Sequence, residues 1–202
     1  MHNIATYLSE SEILKVLDKY NVLDIGTHEK KVSIYALRLL DSLNPYYEFK
    51  NEERNLLYYS ALLHDIGYFI NKEKHHKHTK YIILDDALLD NIPSNLRENL
   101  AIIASSHGKS IDDTLDIYSY NRNFIIQKLV SILRVADALD HKHNLGVSLE
   151  QVELINHVLN IQISGQASNL ILKNIKKKSL LFSKVYNIPI YVECNKGDIK
   201  YK

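Results

Sequence analysis

Residues 62–67 read LLHDIG, which places an imidazole and a carboxylate side by side between aliphatic residues and ends in a glycine. The preceding residues carry apolar side chains at the three-and-four spacing of an amphipathic helix, so His64 and Asp65 stand at the end of a stripe that should be buried. Unpaired charges in a protein core cost several kcal/mol. The stretch therefore predicts either a hydrogen-bonded core pair or a ligand site.

The composition indicates a soluble globule with one core. The chain has 202 residues, 46% of them hydrophobic and 24% charged, which allows one packed core with a small appended subdomain. A formal net charge of +1 provides no global field, so we expect neither nucleic acid nor a membrane as the main partner. The single cysteine excludes a disulfide framework. With no signal segment and no bilayer-spanning apolar run, we expect a cytoplasmic protein.

Apolar spacing predicts a mostly α fold, with a helical bundle over residues 1–146 and a small β-β-α-β subdomain over 147–202. The predicted helices cover 10–20, 27–44, 52–66, 77–89, 94–107 and 122–142. Local signals mark several helix ends: a capping box of Ser9 with Glu12, an N-cap at Thr27, a stop at Pro45 and a start after Pro93. In the second part, VELINHVLNIQIS alternates around an Asn-His turn, whereas the triplet at 176–178 fits a solvated helix face.

Each predicted helix from the second to the sixth has a polar side chain in phase with its apolar stripe. These residues are His28, His64 with Asp65, His78, His107 and Asp137. One histidine on an apolar face is usually a hydrogen-bonded core residue, but four imidazoles and two carboxylates in one core need a compensating cation. A divalent metal accepts both neutral imidazole and carboxylate ligands. We therefore predict that these residues bind metal.

The ligand set favours two divalent ions over one. The predicted ligands are more than one tetrahedral zinc site needs, and none of them is a thiolate. Nitrogen and oxygen ligands in this number suit two octahedral ions such as Mn, Fe, Mg, Co or Ni. We assign His28, His64, Asp65 and Asp137 to the first ion, and Asp65, His78 and His107 to the second. The run KHHKHTK at 74–80 also offers His75 and His76, which are alternatives for the third position. Asp140 falls near the same face, where it would orient an imidazole or cap the helix.

Two such cations suit phosphoester hydrolysis, because they stabilise both the attacking and the leaving oxygen. We predict Asp65, Lys109 and Arg134 as catalytic residues. The side chains of Lys109 and Arg134 lie near the expected metal face and can bind phosphate oxygens. Lys109 and Arg134, together with His76 and His143, are also the candidates for substrate binding. For Arg134, an ion pair that ties two helices together is an equal alternative.

The order of these residues resembles the HD superfamily of metal-dependent phosphohydrolases, named for the dipeptide in LLHDIG. Four segments resemble the C-terminal HD-type domain of the exopolyphosphatase/guanosine pentaphosphate phosphohydrolase family: HEKKVSIYALRLLDSL, ALLHDIGYFINKEKHHKHTKYIIL, IIASSHGKS and LVSILRVADALDHKHN. The similarity covers most of residues 10–145 and implies an HD-type bundle. Larger relatives hydrolyse phosphoanhydrides in actin-like ATPase domains with glycine-rich loops. This sequence contains no such loop, so exopolyphosphatase activity does not follow from the resemblance.

Three functions are compatible with this pattern. We favour a stand-alone dinuclear phosphohydrolase or phosphodiesterase that acts on a nucleotide, polyphosphate or another phosphorylated small molecule. The ligand set also resembles that of the di-iron oxygenases of the superfamily, which cleave C–C or C–P bonds with oxygen. The third function is a non-catalytic module that senses nucleotide or polyphosphate. A homodimer is compatible with the 14 tyrosines, although no heptad seam identifies an interface.

Overall fold

A computed structural model gives the fold of the chain. It describes residues 2–20, 28–108, 111, 115, 124–140, 146–165 and 169–195. The helices are α1 (Glu10–Lys19), α2 (His28–Tyr47), α3 (Asn51–Leu63), α4 (His75–Asp85), α5 (Ser94–Ser105), α6 (Phe124–Leu139) and α7 (Asn169–Tyr186), and the strands are β1 (Val147–Ile155), β2 (Val158–Gly165) and β3 (Ile190–Asn195). Short 3-10 helices lie at Ile4–Thr6, Ile66–Phe69 and Ala87–Leu89. The predicted mostly α fold with a C-terminal β-β-α-β arrangement is confirmed.

Helix α6 is the central element of the bundle. Every residue from Leu129 to Leu139 is buried, and α6 packs against α2, α3, α5 and α7. The stretch is mostly aliphatic, and burial of each large aliphatic side chain contributes about 1.5–3 kcal/mol. Arg134 and Asp137 are the charged residues in this buried stretch. Both side chains must therefore find their partners inside the protein.

The predicted signals at the starts of α1 and α5 are present in the structure. Ser9 Oγ accepts a hydrogen bond of 3.3 Å from the backbone of Glu12, while the Glu12 carboxylate accepts one of 2.7 Å from the backbone of Ser9. This reciprocal capping box satisfies two amides that have no partner within the helix. Pro93 directly precedes α5. Thr27, the predicted cap of α2, lies outside the described residues.

Helix α2 continues past its proline, which corrects the predicted end at residue 44. Pro45 lies in the last turn and is exposed, so the missing backbone hydrogen bond is on the side that water reaches. The helix ends at Tyr47. The next residue, Glu48, adopts the left-handed conformation at φ 49° and donates a backbone hydrogen bond of 2.9 Å to Asn44. This left-handed residue terminates the helix.

The C-terminal strands form a small mixed sheet in the order β1-β2-β3. Strands β1 and β2 are an antiparallel hairpin around Asn156 and His157, whose φ angles of 50° and 63° are those of a two-residue type I′ turn. The predicted Asn-His turn is therefore confirmed. Strand β3 lies parallel to β2, with α7 as the crossover. The change in secondary structure at residue 147 is observed, whereas the division into two domains stays a prediction.

Hydrogen bonds from α2 join the sheet to the bundle, and packing against α6 positions α7. The Tyr35 hydroxyl of α2 donates to the carbonyl of Val147 at 2.9 Å and accepts from the amide of Leu149 at 3.1 Å. Helix α7 packs along α6 and buries Ile175 and Phe182. This packing brings the middle of α7 beside the last turn of α6. Among the described residues, no helix is both long and apolar enough to cross a bilayer.

Candidate metal centre

Six buried or half-buried polar residues converge where the ends of five helices meet. His28 is the first residue of α2, and Asp137 lies in the last turn of α6. The other four lie at or just beyond helix ends: His64 and Asp65 after α3, His75 at the start of α4, and His107 after α5. Because helix ends rather than helix middles supply these residues, small shifts in helix length decide which side chains reach the centre.

The first group is made by His28, His64 and the two aspartates. His28 Nε2 lies 3.7 Å from Asp65 Oδ2 and 3.7 Å from Asp137 Oδ1. His64 Nε2 lies 3.5 Å from Asp65 Oδ2 and 4.0 Å from Asp137 Oδ1. Two ring nitrogens and two carboxylate oxygens thus surround one point. The donors are those that divalent transition metals and magnesium accept.

The second group uses the other oxygen of the same aspartate. Asp65 Oδ1 lies 3.4 Å from His75 Nε2 and 3.3 Å from His107 Nε2. The two ring nitrogens are 2.9 Å apart. Asp65 therefore stands between two sets of imidazoles, and its pair of oxygens gives one to each set. In each of the sets His28, His64, Asp65 and Asp65, His75, His107, three ligand atoms lie within 4.8 Å of one another, close enough that one metal ion could bind them all.

Hydrogen bonds on the far side of each ring fix the protonation of the four imidazoles. A carbonyl or carboxylate oxygen only accepts, so each Nδ1 that bonds one must carry the proton. The pairs are His28 with Asp140 at 2.9 Å, His64 with the Ala61 carbonyl at 2.7 Å, His75 with the Lys72 carbonyl at 3.1 Å and His107 with the Ala104 carbonyl at 2.6 Å. In the neutral ring, every Nε2 then presents a lone pair to the centre.

These lone pairs fit bound cations. His64 Nε2 is fully buried and has no hydrogen-bond partner among the described residues. His75 Nε2 and His107 Nε2 face each other at hydrogen-bond distance with a lone pair on each atom. Such an arrangement is repulsive without a proton or a metal between the nitrogens, and a divalent cation also balances the charges of the aspartates. The residues present are therefore suited to hold metal ions.

Burial and neighbouring charges give His64, Asp65 and Asp137 the protonation states that metal binding requires. Burial lowers the pKa of His64 to about 4, so its ring is neutral at pH 7. Burial alone would raise the pKa of Asp65, but the adjacent His64 and His107 hold it well below the ordinary value. Burial also opposes ionisation of Asp137, but the ammonium of Lys178 and the nearby His107 and His64 together lower its pKa. His64 is thus a neutral ligand and both aspartates are ionised, as metal binding requires.

Asp140 was predicted either to orient an imidazole or to cap the helix, and in the structure it bonds the ring of His28. It accepts from His28 Nδ1 at 2.9 Å and from Lys31 Nζ at 3.2 Å. Burial works against the charge of Asp140, but the hydrogen bond from His28 and the nearby Lys31 lower its pKa. A carboxylate in this position fixes the tautomer and the direction of a ligand imidazole.

The structure brings His75, and not His78, into the second group, which corrects the predicted ligand. Helix α4 begins at His75, so its buried face follows His75, Thr79 and Ile83 at four-residue spacing, with Thr79 and Ile83 fully buried. His78 is half-buried and belongs to neither metal-ligand group. The prediction started from Ile82 and stepped back four residues, and it did not treat the polar Thr79 as part of the stripe.

The glycine of LLHDIG explains how His75 reaches the centre. A Cβ atom at Gly67 would lie 2.0 Å from the carbonyl oxygen of His75 and 2.5 Å from the amide of Thr79. The Gly67 amide donates to Thr79 Oγ1 at 3.1 Å, and that hydroxyl donates to the carbonyl of His64 at 2.8 Å. The glycine therefore permits the first turn of α4 to pack directly on the turn that carries His64 and Asp65.

Arg134 has an internal role in the structure. Its Nη1 donates to the carbonyls of Ser106 at 2.7 Å and Gly108 at 2.6 Å, on either side of His107. The side chain is buried, and burial lowers the pKa of the guanidinium. Arg134 does not line the pocket described next. It holds the turn that presents His107, which is closer to the predicted structural alternative than to substrate contact, although its partners are carbonyls rather than a carboxylate.

A pocket of about 460 Å³ opens on the second group of ligands. His76 lines it, as the substrate-binding prediction requires, and Tyr68 stacks on His75 with ring centroids 4.1 Å apart. Lys178 of α7 also lines the pocket and forms an ion pair with Asp137 Oδ2. Lys178 was expected on a solvated face, and this contact corrects that expectation. Lys109 and His143, the other predicted substrate residues, lie outside the described residues.

Comparison with known proteins shows to which family the chain is related. Residues 9–182 match a family model described as Ppx/GppA phosphatase, domain III. The matched region includes the five residues of the two ligand sets, together with Asp137 and Lys178. No match was found among curated proteins. Since the family match covers most of the 202 residues, the chain belongs to the Ppx/GppA phosphatase family, within which it corresponds to domain III.

Proposed function

We propose that this protein is a metal-dependent phosphohydrolase or phosphodiesterase with a dinuclear centre. One observation carries the proposal: the two oxygens of Asp65 face different pairs of imidazoles, Oδ2 toward His28 and His64, and Oδ1 toward His75 and His107. A carboxylate with one oxygen for each of two ligand sets suits a pair of cations that share it. The phosphatase description of the matched family supports hydrolysis as the class of reaction.

The order His, His-Asp, His, His, Asp along the chain also supports membership of the HD superfamily of metal-dependent phosphohydrolases. His28, His64, Asp65 and Asp137 would hold one ion, and Asp65, His75 and His107 the other. The set contains no thiolate, which favours Mn, Fe, Mg, Co or Ni. The assignment differs from the sequence-based one in a single ligand, because His75 takes the position given to His78.

Two bound divalent cations would supply Lewis acidity for a phosphoryl oxygen and would lower the pKa of water. The protein contributes fixed ligands, because hydrogen bonds at Nδ1 hold all four rings. It also contributes a neutral phenol at the pocket wall. Burial and the charge of Asp65 raise the pKa of Tyr68 to about 12, so its hydroxyl keeps its proton at pH 7. Water has access through the pocket, whereas the first group is buried.

We propose a phosphorylated small molecule, such as a nucleotide or polyphosphate, as the substrate. The pocket of about 460 Å³ has the size of small-molecule sites. Three lysines, Lys72, Lys74 and Lys178, line it together with one glutamate, Glu73. The cations would neutralise Asp65 and Asp137, which also line it. The bound centre would therefore have a positive potential toward its opening, which favours an anionic substrate.

Elemental analysis of the protein as purified, followed by hydrolysis assays, tests the proposal. We expect two divalent ions per chain and release of p-nitrophenol from p-nitrophenyl phosphate esters with Mn²⁺, Mg²⁺ or Fe²⁺. Asp65→Asn should abolish both the metal content and the hydrolysis. His157→Ala is a matched control, because His157 lies on the hairpin turn of the sheet and bonds only a backbone carbonyl in its recorded contacts.

Two other outcomes would replace the proposal. Oxygen uptake by the iron-loaded protein without phosphate release would favour a di-iron oxygenase of the same superfamily. Nucleotide or polyphosphate binding that is unchanged in Asp65→Asn and His64→Gln, without hydrolysis under any metal, would favour a non-catalytic sensing module. The three functions are therefore separated by one set of proteins in three assays.

A further inference from the structure

Lys178 is a charged residue on the buried side of α7. It lies three residues after Ile175 and four before Phe182, both of which are buried in the core. Only 14% of its side chain is exposed. Burial of the lysine side chain removes most of the water around its charge. This burial is unfavourable unless a group of opposite charge pairs with the ammonium. The partner recorded in the structure is Asp137 of the metal centre.

The contact with Asp137 leaves the metal-facing oxygen of that carboxylate untouched. Lys178 Nζ binds Oδ2, while Oδ1 faces His28 and His64 at 3.7 and 4.0 Å. One carboxylate can therefore serve a cation with one oxygen and Lys178 with the other. An ammonium group has three donors, so its bond to Oδ2 leaves further donors at the wall of the pocket.

Lys178 differs from the other cations of the pocket in its burial. Lys72 and Lys74 are exposed, so water screens their charges and solvates their ammonium groups. Arg134, the cation that the sequence placed near the phosphate, donates to the carbonyls of Ser106 and Gly108. Among the described residues that line the pocket, Lys178 alone combines a cationic group with a largely buried side chain.

We propose that Lys178 binds the phosphoryl oxygens of the substrate beside the metal centre. The inference rests on the proposed function, since it assigns a residue to the substrate of that centre. A lysine ammonium is a compact point charge that suits a phosphate oxygen, and charge-assisted hydrogen bonds of this kind are among the strong ones. The C-terminal α7 would thereby complete a site that the N-terminal helices build, and the anion would be held between the cations and Lys178.

Inorganic phosphate binding to the metal-loaded protein tests this assignment without relying on activity. Isothermal titration with phosphate measures the phosphate affinity of wild type, Lys178→Met and Lys178→Arg. Elemental analysis of the same samples measures their metal content. Lys177→Met is the matched control, because it makes the same change in net charge on the exposed face of the same helix. We expect Lys178→Met to bind phosphate about 10- to 100-fold more weakly, which is the effect of losing one charge-assisted hydrogen bond.

Lys178→Met should keep its metal, Lys178→Arg should bind phosphate within a few-fold of wild type, and Lys177→Met should match wild type. Equal phosphate affinity in Lys178→Met and wild type would overturn the inference, as would loss of metal from Lys178→Met, which would assign Lys178 only to the support of Asp137. Failure of the wild-type protein to hydrolyse any ester overturns the proposed function alone, because Lys178-dependent binding of phosphate would still be measured.

Discussion

His75 Nε2 lies 2.9 Å from His107 Nε2, although hydrogen bonds at Nδ1 leave a lone pair on both nitrogens of the neutral rings. Asp65 Oδ1 is within 3.4 Å of each, so three electron-rich atoms meet at one point. Such a cluster is stable only around a positive charge. This relationship makes the second group the most direct sign of a cation in the structure, and it depends on His75, which the sequence offered only as an alternative to His78.

The identity of that histidine gives the first prediction. His75→Ala should reduce the metal content from two ions to one per chain, because it removes a ligand from the second group only. Since loss of an outer-shell partner alone weakens metal affinity by about 10- to 100-fold, loss of a ligand should have at least that effect on one ion. Elemental analysis after dialysis, with calorimetric metal titration, measures both quantities.

His78→Ala is the matched control for this experiment. It lies one turn along the same helix and belongs to neither metal-ligand group. Its metal content should equal that of wild type. The opposite pattern, with two ions in His75→Ala and one in His78→Ala, would restore the ligand predicted from the sequence and would contradict the observed phase of α4.

The apolar stripes of the sequence pointed to most of the residues that the structure brings together. The structure brings together His28, His64, Asp65, His107 and Asp137. The three histidines and Asp137 were recognisable because each continues an aliphatic stripe, and a stripe on a long helix has a well-defined phase. Asp65 was recognisable because it follows His64 directly. Asp140 was also predicted beside the centre, because it follows Asp137 by three residues on the same helix face.

The remaining residues required knowledge of helix starts and of packing between distant elements. The prediction for α4 placed its start at residue 77, whereas the helix begins at His75, and its buried face includes the polar Thr79. Lys178 occupies the buried stripe of α7, but a run of three lysines is usually solvated, and nothing local tells which one faces inward. Sequence periodicity gives the face of a helix, but not which neighbouring helix covers that face.

The support of His28 by Asp140 gives the second prediction. Asp140→Ala should weaken metal binding by about 10- to 100-fold while the ligands themselves remain, because the His28 ring loses the acceptor that fixes its orientation and tautomer. Metal titration of the apoprotein measures the change. Lys31→Met serves as the control, since Lys31 contacts Asp140 Oδ1 at 3.2 Å but no imidazole of the centre in the recorded hydrogen bonds and ion pairs. Equal metal affinity in Asp140→Ala and wild type would remove Asp140 from the centre.

The burial of His64 gives the third prediction, which concerns the metal-free protein. Its pKa is lowered to about 4 in the folded state from an ordinary value of 6.5. Between these values the unfolded chain binds more protons, so the free energy of unfolding falls as the pH is lowered from 6.5 to 4. For this residue the loss reaches about 3 kcal/mol at pH 4. Urea unfolding in EDTA at pH 7 and pH 4.5 measures most of it.

His64→Gln isolates this contribution, because its side chain does not titrate. Burial lowers the pKa of His28, but the hydrogen bond that it donates to Asp140 and the charges of Asp137 and Asp65 together raise it above the ordinary value. Its effect therefore has the opposite sign: its stabilisation is present at low pH and is lost as the pH rises through its folded value. Asp65 and Asp137, with pKa values below normal, add losses only as the pH approaches their ordinary value of 3.8. If wild type and His64→Gln lose the same free energy between pH 7 and pH 4.5, His64 is not buried as a neutral ring.

The last prediction concerns Gly67, the residue that closes the opening motif. In Gly67→Ala the added methyl group would meet the backbone of His75 at 2.0 Å and that of Thr79 at 2.5 Å, so the first turn of α4 must move away from the turn that carries Asp65. Overpacking of this kind costs about 1–3 kcal/mol. We expect the free energy of unfolding in urea to fall by this amount and the second metal ion to be lost.

Gly108→Ala is the control, because the atoms nearest to its methyl group belong to the His76 side chain and would lie at an ordinary 3.6 Å or more. Since Gly108 borders the same pocket, a metal loss shared by both variants would point to general disturbance of the pocket, whereas loss in Gly67→Ala alone ties the glycine to the placement of His75.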